Sequence, residues 1–170
     1  GIKIRNNVGQ GGGGVYTHGT NLIGDINIYN NTASNWGGGI LVAGQAVVIR
    51  HAKIIGNTAA NGGPIYVTNM YDNGVIIDSS VIASNSTTGG PTFLAYNNDQ
   101  SIDISNTVIV NNNAGTGILY ASGNGDINIS NSTLYNNPSE GLYKGIMLES
   151  GSSLNMTNTN IYNDGNSVQN

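Results

Sequence analysis

The sequence contains no cysteine, only three prolines and few charges, since 8% of its 170 residues are Asp, Glu, Lys or Arg. Without cysteine the chain has no disulfide, no thiolate metal site and no cysteine nucleophile. Five basic residues and a net charge of −4 provide no basic footprint for nucleic acid. No apolar run approaches the ~20 residues that span a bilayer. We therefore expect no nucleic-acid partner and no membrane insertion by this segment.

The dominant feature of the sequence is an internal repeat. The chain holds 26 glycines and 29 asparagines, and Asn or Asp recurs three residues after an Ile or Leu at intervals of 24 to 28 residues. A fixed period of this length is typical of solenoids, in which each repeat packs on its neighbours. The seven recurring positions are Asn7, Asn31, Asn57, Asn85, Asn112, Asn137 and Asp164.

Each repeat carries three short apolar segments, rich in β-branched residues, that alternate with polar residues at period two. This pattern is typical of strands. It predicts an all-β parallel β-helix of about six coils of 24–28 residues, with three short strands per coil. A right-handed coil is assumed from the usual habit of this fold, because the residue pattern does not determine the hand. Three rows should fill the core: Ile23, Ile49, Ile77, Ile104, Ile129 and Met156; Ile28, Ile54, Ile82, Ile109, Leu134 and Ile161; Val15, Ile40, Ile65, Phe93, Ile118 and Ile146.

The recurring asparagines have a structural explanation. Asn tolerates positive φ in tight turns, and stacked Asn amides can form hydrogen bonds from coil to coil. The sequence therefore predicts an asparagine ladder along the seven positions. It predicts a second ladder at Asn106, Asn131 and Asn158, preceded by Ser79 and His51.

The glycine pairs carry a family resemblance. Gly-Gly-Gly-Ile at 37–40 and Gly-Gly-Pro-Ile at 62–65 alternate with Ile-x-x-Asn. This resembles the Gly-Gly-Ala-Ile and Phe-x-x-Asn repeat of polymorphic outer membrane proteins, and it is similar to pectate-lyase-like β-helix repeats. The resemblance implies an extracellular or cell-surface location and a non-enzymatic role as an adhesin passenger, surface stalk or fibre subunit.

The repeat runs from one end of the sequence to the other, so residues 1–170 are expected to form a single β-helix domain. Neither end contains a convincing cap, which solenoids normally have. We expect either an excerpt of a longer chain or subunits that associate end to end. The other expected partners are lateral copies of the chain, or a host or surface protein or glycan.

An alternative function is that of a carbohydrate-active enzyme, either a polysaccharide lyase or a glycoside hydrolase, or of a glycan-binding module. Such enzymes use acidic calcium ligands beside a base, or paired carboxylates. The period places Arg50 and Asp78 at equivalent positions on successive coils, within expected ion-pair distance, and Asp103 one coil further, displaced by two residues. These are the candidate catalytic residues; an exposed ion pair is the competing explanation. We expect no metal and no cofactor.

The third apolar segment of each repeat predicts a binding surface. If its first residue points inward, the next residue points outward, and one sheet carries an apolar stripe that favours a protein contact or lateral assembly. With the opposite parity, Ile40, Val42 and their equivalents lie outside instead. Loops at 68–74 and 96–101 could also cover the sheet. The predicted assembly stripe is Tyr16, Leu41, Tyr66, Leu94, Leu119 and Met147.

Overall fold

A computed structural model of the chain describes residues 1–19, 21–44, 46–70, 74–140, 145–149 and 151–162. These residues form 23 strands in four parallel sheets and no helix. The strands of sheet A are β1 (Ile2–Arg5), β5 (Ile26–Tyr29), β9 (Lys53–Ile55), β13 (Val81–Ala83), β17 (Val108–Val110), β20 (Thr133–Tyr135) and β23 (Asn160–Tyr162).

The chain passes through the sheets in the order A, B, C, D and then begins the next coil. Sheet B contains β2 (Val8–Gly11), β6 (Thr32–Trp36), β10 (Thr58–Ala59) and β14 (Ser86–Thr87). Sheet C contains β3 (Val15–His18), β7 (Ile40–Ala43), β11 (Ile65–Met70), β15 (Phe93–Asn98), β18 (Leu119–Ala121) and β21 (Ile146–Leu148). Sheet D contains β4 (Asn21–Gly24), β8 (Val47–Arg50), β12 (Val75–Asp78), β16 (Ile102–Ser105), β19 (Ile127–Ser130) and β22 (Leu154–Thr157).

This architecture confirms the parallel solenoid of about six coils. The prediction of three strands per coil is wrong for the first four coils, which carry a fourth strand in sheet B. Two of these strands, Thr58–Ala59 and Ser86–Thr87, are only two residues long and mostly polar. They therefore have no apolar alternation by which they could be recognised.

The core consists largely of the predicted rows. Ile49, Ile54 and Ile65 are completely buried, and each pairs with the corresponding residue of the next coil. Met156 and Ile161 are wrong as core residues, because they are 44% and 38% exposed and no described coil packs over them.

The asparagine ladder is confirmed through Asn137, whereas Asp164 lies outside the described residues. From Asn31 to Asn112, each ladder Asn donates its backbone N–H and its Nδ2 to the Oδ1 of the next ladder Asn. Asn85, for example, donates Nδ2 to Asn112 Oδ1 at 2.9 Å and to the carbonyl of Ile54 at 2.8 Å. The ladder thus satisfies polar groups inside the turn, which buried amides require.

The prediction that the ladder asparagines themselves adopt positive φ is wrong. Positive φ falls on the residue before each ladder Asn, for example Asn30 at 55° and Asn111 at 55°. The ladder residue that follows points inward and is buried, as Asn31 and Asn112 show. At the turn between sheets D and A, the residues predicted for the second ladder do have positive φ: His51, Ser79, Asn106, Asn131 and Asn158.

A hydroxyl ladder that the sequence analysis missed follows this second turn. Ser80, Thr107 and Ser132 are buried. The Ser80 N–H donates to Thr107 Oγ1 at 3.3 Å, and the Thr107 N–H donates to Ser132 Oγ at 3.1 Å. The turn between sheets A and B and the turn between sheets D and A are therefore built in the same way. In each, a residue with positive φ is followed by a polar side chain that points into the core.

Candidate functional site

The outer face of sheet C carries the predicted stripe. Burial alternates along β7, where Ile40 and Val42 are buried and Leu41 is half-buried. This confirms the first of the two parities. The backbone register aligns Tyr16, Leu41, Tyr66 and Leu94 on four successive coils.

Leu119 is wrong as a stripe residue. The register pairs Phe93 with Leu119 and Leu94 with Tyr120, and Leu119 is buried. Tyr120 therefore occupies the outward position, and Met147 follows it. The error arises because Ile118, in the bend before the strand, is also buried, so that two consecutive apolar residues point inward.

The strands of sheet C extend into both segments that were proposed as covers. Strand β11 continues to Met70 and β15 to Asn98, so these parts extend the sheet. Residues 71–73 lie outside the described residues.

An aromatic pair at the edge of the stripe was also missed. Trp36, at the end of β6, stacks on Tyr66 with ring centroids 5.9 Å apart and an interplanar angle of 21°. A Cβ at Gly62 would meet both rings, so glycine leaves the space in which they lie. The sequence signal is Trp36 directly before the glycine run 37–39.

The candidate catalytic residues are placed on sheet D as predicted. Arg50 and Asp78 are paired in register, and Asp103 lies on the next strand, opposite Ile76 and not Asp78. Arg50 and Asp78 do not form an ion pair. Among the described residues, the basic side chain beside a carboxylate is His51, whose Nδ1 lies 3.6 Å from Asp25 Oδ1, a contact that is an ion pair only when the imidazole is protonated.

The carboxylate of Asp78 forms hydrogen bonds to residues of the following coil. Its Oδ1 accepts from Asn106 Nδ2 at 2.8 Å and from Ser105 Oγ at 2.7 Å. Hydrogen bonds from Asn106 and Ser105 lower the pKa of Asp78 below its usual value, and the charge of Arg50 contributes least. These hydrogen bonds favour the ionised form of Asp78, which suits its place as an acceptor between coils.

Asp103 is engaged in the same manner. Its Oδ1 accepts from Asn128 Nδ2 at 2.7 Å, and its Oδ2 accepts from Ser101 Oγ at 3.0 Å. Within the described ranges no three His, Asp or Glu side chains are grouped as a metal site would need. None of the described residues forms a helix that could span a bilayer.

The fold and its ladders define a parallel β-helix. The chain belongs to the right-handed β-helix family, because the family model described as "Right handed beta helix region" matches residues 1–161. No curated protein and no solved structure matches the chain.

Proposed function

We propose that this protein is a non-enzymatic, extracellular β-helix with a structural or adhesive role, and that copies of it associate laterally through the stripe on sheet C. The observation that carries the proposal is the register of sheet C, in which one position recurs on six successive coils. Its residues are Tyr16, Leu41, Tyr66, Leu94, Tyr120 and Met147.

The size and composition of the stripe support a contact between two copies. Six coils at about 4.8 Å per coil give a strip about 24 Å long. The stripe contains no charged residue, and Tyr16 remains 61% exposed. Contiguous apolar surface of this kind is uncommon on monomers. Aromatic residues and Met, which make up much of the stripe, are enriched at protein–protein interfaces. Near one end of the stripe the Tyr120 hydroxyl donates to the Glu149 carboxylate, so that charge already has a partner when two such faces meet.

The hydrogen bonding on sheet D supports a role without catalysis. The acidic side chains of Asp78 and Asp103 both accept hydrogen bonds from the following coil. In the proposal they stabilise the stack, and Arg50 is an exposed cation beside it. The extracellular location is supported by the resemblance of the glycine pairs and Ile-x-x-Asn segments to polymorphic outer membrane protein repeats.

The test is the association state of a variant with two charges in the stripe. Leu41→Lys combined with Met147→Lys places two ammonium groups in the proposed interface, where burial without a partner is costly. In sedimentation velocity over a concentration series, we expect the parent chain to associate and this variant to remain monomeric.

The matched control carries the same charge change on other faces. Leu22 on sheet D is 72% exposed and Val108 on sheet A is 39% exposed. Leu22→Lys combined with Val108→Lys should associate like the parent. A parent that stays monomeric at its highest soluble concentration, or equal dissociation of both variants, would contradict the proposal.

A further inference from the structure

The outer face of sheet C carries a second row of positions, two residues beyond the stripe. Along β3, Tyr16 and His18 are exposed, whereas Val15 and Thr17 are half-buried. Because side chains alternate between the two faces of a strand, His18 lies on the same face as Tyr16. His18 is therefore the member of this second row on the first strand of sheet C.

Glu149 is the member of the same row on the sixth strand. Five successive pairings connect Thr17 to Leu148, so the residues that follow them, His18 and Glu149, hold equivalent positions. The Glu149 N–H donates to the Ala121 carbonyl at 3.2 Å, which continues the pairing of the strands. The Tyr120 hydroxyl donates to the Glu149 carboxylate, so this carboxylate lies on the outer face beside the stripe.

The imidazole and the carboxylate lie at opposite ends of an otherwise uncharged face. The six strands of sheet C contain no Lys, Arg, Asp or Glu. Among the described residues, no carboxylate lies within ion-pair distance of His18 and no basic side chain lies within that distance of Glu149. Five steps of about 4.8 Å separate the two residues by about 24 Å along the axis. They can therefore pair only between two molecules.

The sequence as a whole has the same polarity. Residues 1–70 contain four Lys or Arg and one Asp, whereas residues 71–170 contain one Lys and eight Asp or Glu. Copies that lie side by side with their axes in the same direction bring like charges together. Copies with opposed axes bring the positive half of each beside the negative half of the other, and such complementarity orients association.

Two copies that meet through the same stripe are related by a two-fold axis. If this axis runs along the strands, the coil order of the partner is reversed and each row lies over itself. Tyr16 then opposes the partner's Met147, and His18 opposes the partner's Glu149. If the two-fold axis runs along the helix axis, coils of the same number meet and the rows beside the stripe exchange sides. His18 then lies over the partner's residues 12–14, which are all glycine.

We propose that copies associate through sheet C in an antiparallel pair, in which His18 of each copy forms an ion pair with the partner's Glu149. This orientation rests on the proposed function, because it assigns how the second copy lies on the same stripe. The two-fold axis passes between the strands of Tyr66 and Leu94, which pair at the middle of the sheet. One ion pair closes each end of the interface.

The orientation makes association depend on pH. Histidine gains its charge as the pH falls from 8 to 5, whereas glutamate stays largely ionised over this range. The other titratable groups around His18 in the pair are the hydroxyls of Tyr16 and of the partner's Tyr120, and tyrosine is uncharged at these pH values. Association should therefore be tighter at the lower pH.

Cross-linking tests the orientation directly, because the chain contains no cysteine and an introduced thiol is unique. Tyr16→Cys and Met147→Cys are mixed with a bismaleimide that spans the about 10 Å between packed sheets. We expect a covalent dimer that joins position 16 to position 147, identified by peptide mass spectrometry. Tyr16→Cys alone should not cross-link, because its two thiols lie about 24 Å apart along the axis in the antiparallel pair.

Sedimentation velocity at pH 5.5 and pH 8 tests the ion pairs. The dissociation constant of the parent should be about threefold to tenfold larger at pH 8, as expected for two partly exposed ion pairs. His18→Gln and Glu149→Gln should each abolish this difference, and the glutamine at position 149 can still accept the Tyr120 hydroxyl. The matched control is His51→Gln, which removes the other histidine of the chain, on the turn between sheets D and A, and should keep the difference.

The outcomes separate this inference from the proposed function. A parent chain that does not associate, or that associates equally well with lysines in the stripe, overturns both. Association that lysines in the stripe abolish, together with cross-linking of Tyr16→Cys to itself, overturns the antiparallel orientation alone. A pH dependence that survives His18→Gln, or that His51→Gln abolishes, overturns the His18–Glu149 ion pair. Circular dichroism of each variant checks that the fold is retained.

Discussion

Asn85 lies at the centre of the asparagine ladder, and its replacement by alanine gives the sharpest test of what holds the coils together. Its Oδ1 accepts from the N–H of Asn57 at 2.8 Å and from Asn57 Nδ2 at 3.0 Å, while its Nδ2 donates to the carbonyl of Ile54 and to Asn112 Oδ1. The residue is 1% exposed, so water does not replace these partners.

The expected magnitude follows from the groups that lose a partner. The Asn57 N–H and the Ile54 carbonyl both lose the Asn85 side chain, at about 1–3 kcal/mol for each buried unsatisfied group. With the cavity left behind, Asn85→Ala should lower the free energy of unfolding by about 3–6 kcal/mol, a large part of the ~5–15 kcal/mol typical of a domain. Equilibrium urea unfolding, followed by circular dichroism, measures this loss.

Asn61→Ala is the control, because Asn61 Nδ2 likewise donates to an asparagine of a neighbouring coil, Asn35, at 2.6 Å but in an exposed position. Water replaces that bond, so the loss should stay below about 1 kcal/mol. Hydrogen exchange at the Asn57 amide should accelerate in Asn85→Ala and not in the control. Equal destabilisation by the two substitutions would refute the reasoning.

Two further predictions concern the core and the carboxylate of Asp78. Ile109→Ala should cost about 2–5 kcal/mol in urea unfolding, as large-to-small core changes do, and Ile161→Ala, at an exposed position, should cost less than about 1 kcal/mol; similar losses would contradict the register. Hydrogen bonds from Asn106 and Ser105 lower the pKa of Asp78 from 3.8, so its contribution to stability is present above that value and is lost as the pH falls through the lower folded-state pKa. Unfolding midpoints between pH 5 and pH 2.5 should therefore fall more for the parent than for Asp78→Asn, and parallel curves would contradict the assignment.

The coil period was predictable because core and ladder repeat together. Ile28, Ile54 and Ile82 stack in register, and each is followed three residues later by a ladder asparagine. Apolar burial and amide pairing thus impose the same interval, and either one alone predicts the solenoid.

The errors fall where two residues satisfy the same pattern. Ile118 and Leu119 are both apolar and both buried, so alternation could not show which begins the strand. Asn30 and Asn31 are chemically identical, yet one adopts positive φ and the other forms the ladder. Only the backbone geometry distinguishes such neighbours.

The row of Lys3, Asn27 and Lys53 on sheet A was missed for a different reason. Lys3 and Lys53 are remote in sequence and neither stands out in composition. Their relation is visible only when the period found from the asparagines is applied to residues that do not themselves repeat.

The direction of the hydrogen bonds between coils has a mechanical consequence. In a parallel β-helix these bonds run along the axis, so tension applied along the axis acts on every coil in series. An end coil has a neighbour on one side only, so it should detach before the others. Releasing a coil such as that from Asn31 to Asn57, 26 residues apart, frees roughly 90 Å of extended chain at about 3.4 Å per residue, against a folded rise of about 4.8 Å. Under axial load the end-to-end distance of the protein should therefore increase in steps, each corresponding to the unfolding of one coil.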